Sequence, residues 1–440
     1  MESRTQAGHA RSGLANILKN VAWLLGGKGF GAICSLVYLA ILVRSLGVKD
    51  FGHFSLIFGT AQAMVAVAGF QTWQTIVRFG TPHILENHKD RFARLSVFGG
   101  VIDIAGAIGG TALAAIALYG FGDALELNPR YVDAAFLFVA TLLFARGTAS
   151  LGIIRVFDRY DLAVYVGAFT PFARLIAATF IWYTGPTVMR FLLAWGIIEL
   201  ITAIMMWIVA YRVQDGILKL SDIARWRATI RENPGAMGFL GITYLGQTIR
   251  GALQQGPLLA VGLLLGTSAA GAYRIADQLA KGLSKLATLV TQAIYPEVNR
   301  QRHESSFAQF RVLIRRISGV ALGAGVVVVV LAVTVGPGIL VLIGGTEFAG
   351  AGSLLLPLAL AASFDLAAVA FEPVLHAYGK AHWSLAVRTI GIVVMTASIL
   401  ALVGFGVAGV SWGVAIGFGI TFLVFGLTVR LVMRGDGARA

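Results

Sequence analysis

Residues 384–430 read SLAVRTIGIVVMTASILALVGFGVAGVSWGVAIGFGITFLVFGLTVR, 47 positions with a single ionisable side chain, Arg388, ahead of the closing arginine. A helix needs about 20 apolar residues to cross the hydrocarbon core of a bilayer. The stretch is therefore long enough for two crossings, near 384–405 and 407–430. Working backwards, ten more such stretches lie near 20–43, 54–78, 95–119, 133–157, 162–183, 187–211, 236–264, 271–296, 313–336 and 353–378. The expected fold is an all-α integral membrane protein of twelve transmembrane helices. Composition agrees: the 440 residues are 57% hydrophobic and 13% charged, and mean hydropathy is +0.80. Soluble domains are about 25% charged, and disordered chains have low hydrophobicity. The 54 glycines exceed the usual share, as close helix packing in membranes favours. The lone cysteine, Cys34, excludes an internal disulfide and any cysteine metal cluster.

The net charge of +14 needs an explanation on so apolar a chain. Residues 1–19 carry Arg4, Arg11 and Lys19 without a small-residue cleavage site, so they read as a cytoplasmic tail. With that end inside, alternate loops put 23 of the 35 cations on the cytoplasmic side. Only four, Arg44, Lys49, Arg130 and Arg190, fall outside. The positive-inside rule then places both termini in the cytoplasm. Most of the charge is a topology signal, and no surplus is left to argue for a nucleic-acid partner. Eight cations stay within the membrane zone with five acids.

The chain reads as a duplication. Leu46-Gly47, Gly52 and Phe54 recur as Leu265-Gly266, Gly271 and Tyr273, an offset of 219 residues. The starts of the fourth to sixth spans, moved by that offset, fall near those of the tenth to twelfth. Two six-helix lobes are expected, residues 1–217 and 218–440, related by internal pseudo-symmetry, a common transporter plan.

Val43-Arg44-Ser45-Leu46-Gly47, Asp50-Phe51-Gly52 and Phe54-Ser55 resemble the first loop of the Wzx-type oligosaccharide flippases. Gly271-Ala272-Tyr273-Arg274-Ile275-Ala276, continuing through Leu279 to Tyr295-Pro296-Glu297, is similar to that family's eighth helix. These are polysaccharide transport proteins of the multidrug/oligosaccharidyl-lipid/polysaccharide (MOP) exporter superfamily. The resemblance implies two lobes facing a central cavity in the bacterial inner (plasma) membrane. It also implies alternating access that moves undecaprenyl-pyrophosphate-linked oligosaccharide units, for O-antigen, exopolysaccharide or capsule biosynthesis. Implied partners are membrane lipid, a polysaccharide polymerase and glycosyltransferases.

Such a substrate has an anionic pyrophosphate and a polar glycan, and an unsatisfied polar group in hydrocarbon costs several kcal/mol. A carrier must supply a wet cationic cavity. Arg274, Asp277, Lys281 and Lys285 are spaced three and four apart, on one helical face with Gln278. Thr243, Gln247, Arg250 and Gln254 make a similar face, and Lys28, Arg146 and Arg174 add cations in other spans. Intramembrane ionisable residues usually mark pathways. Arg250 stands first for phosphate contact, because arginine binds phosphate bidentately. The competing reading is snorkelling or helix–helix ion pairing, for instance Glu199 neutralising Arg174 or Arg146.

Asp103, Asp277, Asp365, Glu372 and Glu199 are candidates for coupling to a proton or sodium gradient. No cofactor or metal is expected. Gly26-Gly27-Lys28-Gly29-Phe30-Gly31 lacks the strand, spacing and hydroxyl of a phosphate loop. His83 and His88 lack further metal ligands. The outer loops hold only scattered acids, which argues against an enzyme such as a glycan polymerase or glycosyltransferase. Two relatives within the superfamily remain as alternatives: a drug/cation antiporter, which a cationic cavity disfavours, and a lipid II flippase, which resembles fourteen-span chains. Segments 80–94 and 219–232 read as interfacial surface anchors.

Overall fold

The computed structural model describes residues 2–120, 128–214, 225, 227–300, 307–368, 371, 375 and 380–437; side chains of 2–30, 286–318, 320, 381 and 434–437 lie outside the description. Among the described residues the chain is all-helical. The helices are α1 (Glu2–Ala68), α2 (Thr72–Leu85), α3 (Lys89–Gly120), α4 (Val132–Ala145), α5 (Ala149–Val156), α6 (Tyr160–Thr184), α7 (Val188–Val213) and α8 (Ala228–Glu232). They continue as α9 (Ala236–Leu265), α10 (Thr267–Arg300), α11 (Phe307–Thr334), α12 (Gly336–Gly344), α13 (Leu355–Ala368), α14 (Ala381–Leu402) and α15 (Gly406–Gly437).

Seven helical stretches among these residues are long and apolar enough to cross a membrane, and the bent pair Ala321–Thr334 and Gly336–Gly344 gives an eighth. Two of the seven, Gly31–Leu85 and His382–Met433, run to 55 and 52 residues. Each exceeds twice the length that one crossing needs. The first is interrupted at Gly47 (φ 70, ψ 178) and again at residues 69–71.

Two expected spans and one expected surface segment differ in detail. The span near 133–157 is two helices, α4 and α5, parted at Arg146-Gly147-Thr148. The span near 54–78 is parted at residues 69–71. The segment 80–94 is a helical hairpin of α2 and α3, turned by Asn87 at φ 59, rather than one surface helix. An asparagine tolerates that left-handed conformation better than most residues. Of 219–232, the described part includes the short helix α8.

One hydrophobic core joins both halves. It takes Leu42, Phe51, Phe54 and Ile57 of α1, Trp195 of α7, Tyr273 and Ala276 of α10, Leu358 of α13 and Val410 of α15. The halves meet where α1 crosses α10. The approach there is backbone to backbone. A Cβ on Gly52 would overlap the carbonyl of Thr267, and one on Gly271 would lie 2.7 Å from the carbonyl oxygen of Val48. Arg44 closes the same end by donating to the carbonyls of Leu342 at 2.6 Å and Ile343 at 3.3 Å. At the opposite end each half has its own small core. Ile76, Phe92, Leu95 and Ile153 form one, and Phe371, Leu375, Phe425 and Val429 the other.

The contact predicts a selective sensitivity. Gly52→Ala should cost about 1–3 kcal/mol by overpacking. Gly109→Ala, on α3 with open space at its Cβ, should cost nothing. Thermal unfolding of the purified protein in detergent measures the difference; equal melting temperatures would remove the close-approach argument.

Candidate functional site

The break between α4 and α5 creates the site. Arg146 caps the C-terminus of the first half-helix, and Thr148 precedes the second. Helix ends leave amides without intrahelical partners. Asp103 of α3 takes two of them: its Oδ2 accepts from the N–H of Thr148 at 2.6 Å and of Ala149 at 2.8 Å. Its Oδ1 accepts from the Thr72 hydroxyl at 2.9 Å. The Thr72 and Thr148 hydroxyls also lie 2.9 Å apart, and Thr148 donates to the carbonyl of Phe70 at 3.2 Å. Asp103, offered by the sequence for ion coupling, thus ties the two helix breaks together.

The break turns Arg146 into a cavity bounded by α1, α4, α5, α6 and α7, about 450 Å³ in volume. Arg174 of α6 and Glu199 of α7 also line it. Glu199 Oε1 accepts from Arg146 at 3.0 Å and from Arg174 at 2.7 Å. Glu199 and Arg174 are buried, while the Arg146 side chain is 41% exposed. Two cations share one anion, so the cluster keeps a net charge of +1. Tyr38, Ser35, Thr170, Thr202 and Trp207 complete the wall with aromatic and hydroxyl groups.

Aromatic rings carry the cluster towards the second half. The Arg174 guanidinium lies over Trp195 at 5.4 Å and over Phe58 at 5.7 Å. Arg274 of α10 lies over the same Phe58 at 5.6 Å. Two expected cations, 100 residues apart, therefore share one ring. Aromatic faces attract cations most when both are desolvated. With its amide oriented to satisfy both groups, Gln278 accepts from Arg274 Nε at 3.2 Å. Lys281 bonds Asp277 at 2.7 Å one turn along, which ties the expected cation to the expected coupling acid. Lys285 is exposed on the same helix.

On α9, Arg250 and Gln254 are exposed and Gln247 is half-buried; none lines the cavity. Asp365 is exposed on α13. The Lys28 side chain and Glu372 lie outside the described residues. Arg388 sits over the Phe425 ring at 5.8 Å. His83 Nε2 pairs with Asn233 Oδ1 at 2.9 Å, and His88 with Glu86 at 3.2 Å.

Sequence reasoning missed Tyr38, Phe58, Trp195 and Trp207, which look like ordinary apolar filling of a span. It also missed the break. The signal available was Arg146-Gly147-Thr148 in mid-span, a glycine that weakens a helix beside a charge that is costly at membrane depth.

The family described as "Polysaccharide biosynthesis protein" matches residues 17–300 of this sequence. The chain belongs to this family. It is 27% identical over 293 residues to the inner membrane protein YghQ of Escherichia coli (strain K12), covering 64% of this chain and 80% of that protein. The fold is similar to an inward-facing multidrug resistance MATE family transporter of the MOP superfamily. That match has TM-score 0.69, 18% identity and coverage of 92% of this chain and 95% of the other. It is also similar to the lipid II flippase MurJ in an inward closed conformation, with TM-score 0.64, 13% identity and coverage of 92% and 86%. The family match spans both motifs that resemble the Wzx-type proteins, and the MOP fold agrees with it. This polysaccharide biosynthesis family member is a multi-pass inner-membrane protein with the MOP transporter fold.

The Asp103 contacts make a prediction about local order. Asp103→Ala orphans two helix-start amides at about 1–3 kcal/mol each. Hydrogen exchange of a peptide covering residues 147–156 should accelerate, with Asp103→Asn intermediate. Unchanged exchange in both variants would show that the cap is dispensable.

Proposed function

We propose that this protein is a flippase that moves undecaprenyl-pyrophosphate-linked oligosaccharide units across the inner membrane by alternating access. The observation that carries this reading is the Arg146–Glu199–Arg174 cluster, a net cationic group inside a hydroxyl-lined cavity. Charges at membrane depth are costly and are kept for function. A diphosphate offers oxygens in the geometry that guanidinium groups take bidentately. Sugar hydroxyls match the threonines, serines and aromatic faces around them. Arg274, on the same ring as Arg174, and Lys281, Lys285, Arg250 and Lys28 are the further cations proposed to meet the substrate outside this cavity. Gln247, Gln254 and Gln278 add neutral donors and acceptors.

The proposed topology is twelve crossings in two six-helix lobes, residues 1–217 and 218–440, with cytoplasmic termini. Equivalence of the halves has physical support at the 219-residue offset. Gly47 and Gly266 share one backbone conformation (φ 70, ψ 178 and φ 86, ψ 176), which only glycine adopts readily. Gly52 packs on Gly271, its counterpart at the same offset. On this topology the shared core lies at the outer end, and the separate cores lie at the cytoplasmic end. That arrangement suits a carrier loading from inside.

Asp277, Asp365, Glu372 and Glu199 are the proposed groups for coupling to protons or sodium. Asp103 is better suited to holding the helix break. Glycosyltransferases would supply the substrate, and a polymerase would consume it outside. No chemistry on the glycan is proposed for the chain itself. A drug/cation antiporter, the runner-up, fits a net positive cavity poorly.

Two outcomes test the reading. Arg174→Ala and Arg146→Ala, at normal membrane levels, should abolish or reduce surface polymer at least tenfold, with lipid-linked oligosaccharide accumulating in the cytoplasmic leaflet. Lys281→Ala and Arg250→Ala should reduce it less. Wild-type polymer in all four variants, or an unpolymerised unit accumulating outside, would overturn the flippase assignment. For topology, a phosphatase reporter fused after residue 437 should be inactive and one inserted at residue 185 active. The reverse pattern would invert the orientation.

A further inference from the structure

We infer that Glu199 is an exchangeable internal anion: its carboxylate occupies the arginine pair, and a diphosphate group takes its place. This deepens the proposed headgroup site and rests on that reading. The geometry is that of a stand-in. One oxygen, Oε1, receives both guanidinium groups, at 3.0 and 2.7 Å, leaving much of their donor capacity unused, since each guanidinium has five N–H groups. Arg174 is 8% exposed and its Nε has no hydrogen-bond partner. A buried, unpartnered charged donor on the wall of a polar cavity calls for a further acceptor.

The charges explain why the exchange is needed. Two arginines without a counterion would be costly at membrane depth, so the empty site needs Glu199. A bound diphosphate brings at least two negative charges and more acceptor oxygens than one carboxylate. With Glu199 still paired, it would meet like charge within the same cluster. No other carboxylate lines this cavity among the described residues. The groups around Glu199 are Arg146 at the end of α4, Arg174 of α6 and Tyr38 of α1. On neighbouring elements, Asp103 has both oxygens bonded, and Arg155 of α5 lies over Trp73 at 4.0 Å. Glu199 therefore both stabilises the empty carrier and weakens its hold on an anion. A site that releases its cargo benefits from such a competitor, because binding must not become so tight that exit fails.

The test is calorimetric titration of the full-length protein in detergent with inorganic pyrophosphate and, separately, farnesyl diphosphate. Glu199→Gln keeps an acceptor oxygen but removes the charge, and it should bind both probes on the order of fivefold tighter than wild type. Glu199→Asp retains the charge on a shorter arm, protecting the fold, and should bind between the two. A preference for farnesyl diphosphate over pyrophosphate supports a lipid-borne diphosphate as the occupant; preference for pyrophosphate overturns that source. If Glu199→Gln and Glu199→Asp bind no tighter than wild type, while Arg174→Gln loses binding, the exchange is wrong and the headgroup site stands. If Arg146→Gln and Arg174→Gln bind as wild type does, the headgroup site itself is wrong.

Discussion

A helix broken inside a membrane exposes amides that hydrocarbon cannot satisfy, and the cavity depends on how this chain answers that constraint. Asp103 reaches from α3 to the start of α5 and takes the amides of Thr148 and Ala149. Thr72 and Thr148 then join this repair to the second break, before α2. With the amides satisfied, the chain can turn at Gly147 and hold Arg146 in the cavity instead of on a continuous helical surface. A neutral or apolar residue at 103 would leave the turn unsupported, and Arg146 would lose the backbone that aims it.

The cluster itself is a compromise between two costs. Burying arginine without an anion is expensive, and burying it with a perfectly matched anion leaves nothing for a substrate. One glutamate for two arginines lies between these limits. The rings of Trp195 and Phe58 supplement the neutralisation without adding a hydrogen-bond acceptor. Phe58 belongs to α1, which packs on α10, so it faces Arg174 from one half and Arg274 from the other. Movement of α1 against α10 would alter the surroundings of both guanidiniums together. The ring thereby offers a mechanical link between the packing of α1 on α10 and the charge environment of the cavity.

Much of this was legible in the residues. Long apolar runs such as 384–430 announce membrane helices because hydrocarbon imposes one dominant selection on composition. Arg146, Arg174 and Glu199 stood out because a charge in such a run has to be explained, and the pairing of Glu199 with either arginine was foreseeable. That Glu199 takes both on one oxygen was not, since it depends on how three helices rotate. Arg250 illustrates the limit: its charge and spacing resemble those of Arg174, yet it is exposed and outside the cavity wall. Periodicity assigns residues to one helical face but does not say what that face meets. The aromatic residues were invisible for the opposite reason, since Trp195 and Phe58 satisfy the apolar pattern whether or not a cation lies over them.

The distribution of cores gives the fold its capacity to move. Close packing resists gradual deformation, so change concentrates where cores are separate. Gly52 and Gly271 bring backbones together at one end, and the shared core around Phe51, Phe54 and Tyr273 makes that end the firmer. At the other end the clusters around Phe92 and Phe425 are separate, and the halves are joined there by single contacts: Arg94 with Glu232, His83 with Asn233 and Phe79 with Phe239. Opening there breaks these side-chain contacts but divides no shared apolar core, whereas opening at the glycine contact would expose buried apolar area. The firm end is therefore the one where α1 meets α10, and the end joined by single side-chain contacts is the one where the halves part at least cost.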